Sequence, residues 1–238
     1  MKFAILLVCL AHVGFGQFRD HRHGPNRAGR YEYGECIQLF SFPSFAFTNY
    51  NNFRLNQWIS ENGAKAPDQL ILVDLFSFSL LHSNGFNTGM SFSMMFPTNG
   101  SQSSSCALDF MVGVRLFRND VFQSHLNGHI IITSKSIRGV VPPSISTPND
   151  RDYLRNYGLG FGPSLANYVT LYKGRQRGHP FDLLFGIEGG IIVTAWTPWE
   201  FGHSRSGLNR WFAGVNVPEV PGFDTYFTYL KFSLKFKI

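Results

Sequence analysis

The chain has 238 residues, a formal net charge of +6, 16% aromatic and only 15% charged residues, and 25 phenylalanines. A soluble domain carries about 25% charged residues, and disordered chains pair low hydrophobicity with high charge, so neither class fits this composition. Beyond the N-terminus no run approaches the ~18 apolar residues of a membrane helix. Neither a zinc pattern nor an RNA-binding signature accompanies the basic balance, which argues against nucleic acid as a partner.

In chain order, Met1-Lys2 precedes an apolar run over 3–11 that is too short to span a bilayer. It reads as a secretory signal peptide, residues 1–16, with Gly14 and Gly16 flanking Phe15 before the cleavage site and Gln17 as the first mature residue. Cys9 follows the bulky Val8 where lipid attachment requires a small residue, so no lipid anchor is expected. Residues 17–30 hold Arg19, Arg22, Arg27 and Arg30 with His21 and His23 against Asp20, a basic periplasmic segment. It could touch lipid phosphates, cell wall or a partner, or be a disordered leader. Two histidines without fixed geometry fall short of a metal site, and no cofactor is expected.

From residue 31 onward the dominant signal is alternation, which on a strand sends successive side chains to opposite faces. Over 107–117, Leu108, Phe110, Val112, Val114 and Leu116 alternate with Asp109, Gly113 and Arg115. Over 86–96, Met90, Phe92, Met94 and Phe96 oppose Asn87, Gly89, Ser91 and Ser93; over 157–173, Leu159, Phe161, Leu165, Val169 and Leu171 oppose glycine, Ser164, Ala166 and Thr170. Over 181–197, Leu183, Phe185, Ile187, Ile191 and Val193 oppose Asp182, Gly186, Glu188, Gly190 and Thr194. The last segment, 223–238, sets Leu230, Phe232, Leu234, Phe236 and Ile238 against Lys231, Ser233, Lys235 and Lys237. A shorter Ile-rich strand covers 123–135, and 36–50 is aromatic-rich with a bend or end expected at Pro43. In 69–80, Asp74 shares parity with Leu70, Leu72, Phe76, Phe78 and Leu80; a bulge would shift the register and keep the charge from the apolar face, the rival reading being a buried strand of a soluble protein.

These segments predict an all-β, antiparallel transmembrane barrel of about eight strands, ten being the alternative count. Short links at 82–85, 118–121 and 174–180 interleave with long ones at 51–68, 97–106, 136–156 and 198–222. That is the asymmetry of outer-membrane barrels, with short periplasmic turns, long outer loops and both termini periplasmic. Residues 31–238 therefore resemble the small eight-stranded outer-membrane barrels of Gram-negative bacteria. The resemblance implies the outer membrane as location, membrane lipid as surroundings, and the barrel-assembly machinery as a partner during biogenesis. It also implies that Leu230, Phe232, Leu234, Phe236 and Ile238 carry the assembly signal, although here isoleucine stands where that family usually ends in phenylalanine.

Candidate sites follow from the alternation. Asp109, Arg115, Asp182, Glu188, Lys231 and Lys235 are expected to form an ion-paired lumen, since eight strands leave room only for side chains. His82 and Ser83 resemble the His/Ser stretch of outer-membrane lipid A deacylases, but adjacent residues on a strand point to opposite faces, and a Ser-Asn-Gly turn accounts for them without catalysis. Residues 51–63 read as a short helix in the first outer loop, with Phe53, Trp58 and Ile59 as an apolar stripe for the barrel rim or a partner. Trp196, Trp199 and Trp211 fit an aromatic belt. Cys36 and Cys106 fall at opposite membrane faces, beyond disulfide reach. The function expected is a porin-like but non-conducting membrane barrel with a structural, surface-binding or accessory role in a larger outer-membrane complex. The alternatives are a lipid-modifying hydrolase and a soluble secreted barrel for an apolar ligand.

Overall fold

A computed structural model of the protein describes residues 36–48, 52–67, 70–82, 84–97, 101–174, 181–204, 212–222 and 225–237. The N-terminal unit Met1–Glu32, which contains the expected signal peptide and basic segment, lies outside the described residues. The second unit begins at Tyr33. Among the described residues its strands are β1 (Cys36–Thr48), β2 (Leu70–His82), β3 (Phe86–Pro97), β4 (Ser103–Arg118), β5 (Phe122–Ile137), β6 (Tyr153–Lys173), β7 (Asp182–Trp196), β8 (Glu200–Ser204), β9 (Phe212–Asn216) and β10 (Tyr226–Lys237), with one helix, α1 (Phe53–Glu61). No helix among the described residues is long and apolar enough to cross a membrane.

Eight of the strands close on themselves. The order runs β5-β4-β3-β2-β1-β10-β7-β6, every pair antiparallel, and β5 pairs with β6 to complete the circle. The remaining two, β8 and β9, form a short hairpin within the last long connection and pair through Glu200–Gly202 with Tyr153–Arg155 at the start of β6. Closure satisfies every ladder in the cylinder, which an open sheet could not do in an apolar medium.

Polarity is inverted relative to a water-soluble protein. The outer face exposes Phe45, Phe47, Phe110, Val112, Val114, Leu116, Ile130, Ile132, Leu159, Phe161, Leu165, Leu171, Ile191, Val193, Leu230 and Leu234. The buried inner face carries Ser41, Ser44, Asp74, Asn87, Ser91, Ser93, His125, Asn127, His129, Asn156, Ser164, Glu188 and Lys235.

The bulge that the parity of Asp74 suggested is present. The register of β2 against β3 shifts between Asp74 and Phe76, and Asp74 is buried while Phe76, Phe78 and Leu80 take the other face. Against β1 the pairing stays in step, Ser41 with Ser77 and Ser44 with Asp74, so both strands reverse parity at one level. Pro43, expected to bend or end β1, does not end it: it sits between Ser41 and Ser44, where β1 shifts register against β10 and continues. Gly162 permits another close approach, because a Cβ there would run into the Ile191 carbonyl oxygen.

The connections at the long-loop end fold together. Leu55 and Ile59 of α1, Ile137 at the end of β5 and Val140 after it, Leu154 of β6, and Trp199, Phe201, Val217 and Val220 of the last connection form one buried apolar cluster. Polar ties add to it: Trp199 Nε1 donates to the Pro221 carbonyl at 3.0 Å, and His203 Nδ1 lies 3.4 Å from Asp152. The Ser144 hydroxyl donates to Glu219, holding that carboxyl below its ordinary range.

Two expectations are corrected here. The helix turns Leu55 and Ile59 inward with Trp58 partly buried against them, while Phe53 is 70% exposed, so the buried stripe is Leu55/Ile59 rather than Phe53/Trp58/Ile59. Side chains four apart share a helix face, whereas Phe53 is six before Ile59. Of the expected belt, the two described tryptophans do not face outward. Trp196 shares inward parity with Thr194 and lies under the Lys135 ammonium at 4.9 Å, and Trp199 is buried in the loop cluster. Trp211 lies outside the described residues.

Candidate functional site in the barrel lumen

Inward parity on five strands converges on the middle of the lumen. Asp109 of β4, His129 of β5, Ser164 of β6, Glu188 of β7 and Tyr229 of β10 all point there, and Asp74 of β2 meets Lys231 of β10 beside them. His129 Nδ1 is 2.9 Å from Asp109 Oδ2, and its Nε2 is 3.1 Å from Glu188 Oε1 and 2.8 Å from Ser164 Oγ. Glu188 Oε1 also accepts from the Ser164 hydroxyl at 2.9 Å and from the Tyr229 hydroxyl at 2.8 Å. Asp74 is an ion-pair partner of Lys231 and accepts from Ser44 Oγ at 2.8 Å and Ser93 Oγ at 2.7 Å.

Carboxylate oxygens accept and do not donate, so hydrogen bonds from both ring nitrogens to Asp109 and Glu188 place a proton on each nitrogen of His129. Charges this deep are tolerated because each is paired and hydrogen-bonded; an isolated one would carry a large desolvation cost. An imidazolium so held has no lone pair with which to take the Ser164 proton. The Asp109-His129-Ser164 sequence of contacts has the spacing of an acyl-transfer triad, yet in this protonation state it works as a clamp across the lumen.

The six charged residues expected in the lumen fall at two levels. Asp109, Glu188 and Lys231 join the central network. Toward the short-turn end, Lys235 Nζ donates to the Tyr168 hydroxyl at 3.1 Å and lies 4.7 Å from the centre of that ring. Asp182 is 3.7 Å from Lys237 Nζ, and Arg115 lies opposite His125 on the neighbouring strand. His129, Ser164, Tyr229, Asp74, His125 and Tyr168 were not among the candidates. The signal for several of them was plain parity: His125, Asn127, His129, Thr133 and Lys135 alternate with Leu126, Ile130 and Ile132 on β5.

Between this network and the loop cluster lies a cavity of about 50 Å³. Leu72, Met95, Ala107, Ile131 and Phe227 line it alongside Asp109, Glu188, Tyr229 and Lys231.

The remaining candidates lie apart from the network. His82 closes β2, its ring 6.1 Å from that of Phe86; Ser83 lies outside the described residues. Next to them, Asn84 Oδ1 accepts from the Phe86 N–H at 3.0 Å and Gly85 adopts φ +88°. These are turn contacts, and positive φ is glycine's region. Leu230, Leu234 and Phe236 are exposed on the outer face, Phe232 stacks on Phe185 at 6.4 Å, and Ile238 lies outside the described residues. Cys106 carries a free thiol opposite Met94, while Cys36 pairs with His82 at the other end of the barrel.

No known family profile matches the chain. A stretch of 96 residues is 29% identical to the mitochondrial 15S rRNA processing factor CCM1 of Vanderwaltozyma polyspora, covering 40% of this chain and 11% of that protein. This chain thus spans about a tenth of the length of that curated relative. Among solved structures it is similar to the outer membrane protease OmpT of Escherichia coli, at 9% identity and a TM-score of 0.31, over 85% of this chain and 96% of that one.

Proposed function

We propose that the protein is an integral outer-membrane β-barrel that does not conduct, has no catalytic role, and presents its packed outer loops as a structural or surface-binding element of a larger assembly. The observation that carries this reading is the inversion of polarity, with phenylalanine, leucine, isoleucine and valine outside and paired charges inside. A soluble barrel for an apolar ligand would need the opposite arrangement. Two barriers oppose a pore. The Asp109-His129-Glu188 clamp crosses the lumen, and the apolar cluster around Ile59 and Trp199 packs three of the long connections together. Eight strands leave an interior that side chains alone fill.

The test combines fractionation with electrical recording. The protein should partition with outer membranes, run anomalously on gels when unboiled, and give no single-molecule steps in planar bilayers. Release into the soluble periplasm or steady nanosiemens conductance would refute it.

A second reading, a lipid-modifying hydrolase, is favoured by the 2.8 Å contact between Ser164 Oγ and His129 Nε2. It would require His129 to lose a proton that two carboxylates hold in place.

A further inference from the structure

We infer that the outer face of β4, β5 and β6, at the long-loop end, holds the phosphate of an anionic membrane lipid between Arg138 and Arg155. This rests on the reading of the barrel as membrane-embedded and names the lipid chemistry that one side of it selects.

The edge of the apolar face places the site. Leu108 of β4, Ile132 of β5 and Leu159 of β6 stand in register as one outward row. Two residues nearer the long loops the row becomes Cys106, Ser134 and Tyr157, and two further on it becomes Ser104, Ser136 and Arg155. Apolar side chains therefore stop at one level on three adjacent strands, and hydroxyls and a guanidinium take over. In a bilayer this is the level where hydrocarbon gives way to headgroups, and where tyrosine and arginine settle.

Two like charges meet at this level. The Arg138 guanidinium lies 5.8 Å from the centre of the Tyr153 ring, and that of Arg155 lies 6.0 Å from the same centre and 5.2 Å from the ring of Tyr157. Arg155 Nε also donates to Ser134 Oγ at 3.3 Å, which holds its side chain against the barrel wall. Two cations gathered on one ring repel each other, and an anion between them removes that cost.

The carboxylates nearby are placed otherwise. Asp152 is taken by His203 and by the Asn149 N–H. Asp150 and Arg151, both exposed, offset one another in charge. Glu200 neighbours Arg155 in register, but from the β8 side and away from β5, where Arg138 follows. No ion pair among the described residues uses Arg138 or Glu200.

The donors match a phosphate. Guanidinium presents its N–H groups in a planar fork that fits phosphate oxygens, and serine and tyrosine hydroxyls add neutral donors around it. Ile132, Leu159 and Phe161, exposed just below, give acyl chains a wall to lie against, so the anion that fits is one carried on hydrocarbon.

The experiment uses the mature chain folded in detergent, with its unboiled gel migration recorded first, and native mass spectrometry with phosphatidic acid, phosphatidylcholine and inorganic phosphate. Phosphatidic acid should bind more tightly than phosphatidylcholine by about fivefold for each arginine, with no retained adduct of inorganic phosphate. Arg138→Gln with Arg155→Gln should erase the preference, and Glu200→Gln should strengthen it. Arg118→Gln removes the same charge from an exposed position at the short-turn end of β4 and should change nothing. If the double variant fails to fold, Arg138→Gln alone, at an exposed side chain, should still lower the preference about fivefold. Equal binding of the two lipids by the folded barrel, an equal loss in Arg118→Gln, or inorganic phosphate bound as tightly as the lipid overturns the inference and leaves the membrane reading standing. A chain that folds in no detergent or vesicle overturns both.

Discussion

Ser164 Oγ lies 2.8 Å from His129 Nε2 at the centre of the lumen, the separation at which a serine nucleophile meets its base. The same hydroxyl is 2.9 Å from Glu188, and the far nitrogen of the imidazole is taken by Asp109. We therefore predict that an active-site fluorophosphonate probe leaves Ser164 unlabelled in the folded protein. Likewise Ser164→Ala and His82→Ala should leave membrane lipid A composition unchanged. A covalent adduct on Ser164 would restore the hydrolase.

Glu188 is the shared acceptor for three groups, so its removal should be felt by all of them. Glu188→Ala is expected to destabilise the barrel by about 3 kcal/mol, because the His129 cation is left with one buried partner fewer. Glu188→Gln, which can still accept from Ser164 and Tyr229, should cost less. Equilibrium unfolding in urea from lipid vesicles measures both, and equal losses would mean that the hydrogen bonds contribute nothing.

The Asp74–Lys231 pair offers a double-mutant cycle. Lys231→Met alone should cost about 3–5 kcal/mol by leaving Asp74 buried and unpaired, whereas Asp74→Leu with Lys231→Met should recover much of that loss. Additive losses would show that the two charges act independently.

Ile59, fully buried in the loop cluster, tests whether the cap or the network closes the lumen. Ile59→Ala should cost about 2–5 kcal/mol locally and expose the connections to protease, yet leave bilayer conductance at zero because the ionic clamp persists. Channel openings in this variant would assign closure to the cap.

The barrel was legible in the sequence because a strand's period of two survives any tertiary context, and Leu108–Leu116 or Leu230–Phe236 state it without interruption. Asp74 was legible in part, since its wrong parity pointed either to a bulge or to a buried soluble strand, and the register shift at Asp74/Phe76 decides for the bulge. Trp196 shares parity with Thr194 and Glu188, so the alternation that placed those inward also placed it inward; reading it as a belt residue set composition above position. The loop cluster was beyond local reading. Leu55, Val140, Trp199 and Val217 come from three separate connections, and nothing periodic links them. The central network needed register as well as parity, because which inward residues meet depends on how far each strand is staggered against the next.

A closed cylinder has no border, but the β8–β9 hairpin gives this one a border again. In the order of the sheet β9 comes last, paired with β8 alone, so one side of Phe212–Asn216 presents backbone groups that no described strand takes up. An open ladder invites a stranger's backbone to continue it, and long flat ones seed aggregates. Here the invitation is five residues long, contains Gly214, and is carried on the last long connection. The cylinder thus closes every one of its own ladders, and among the described residues this short seam is a place where another extended chain could be stitched on.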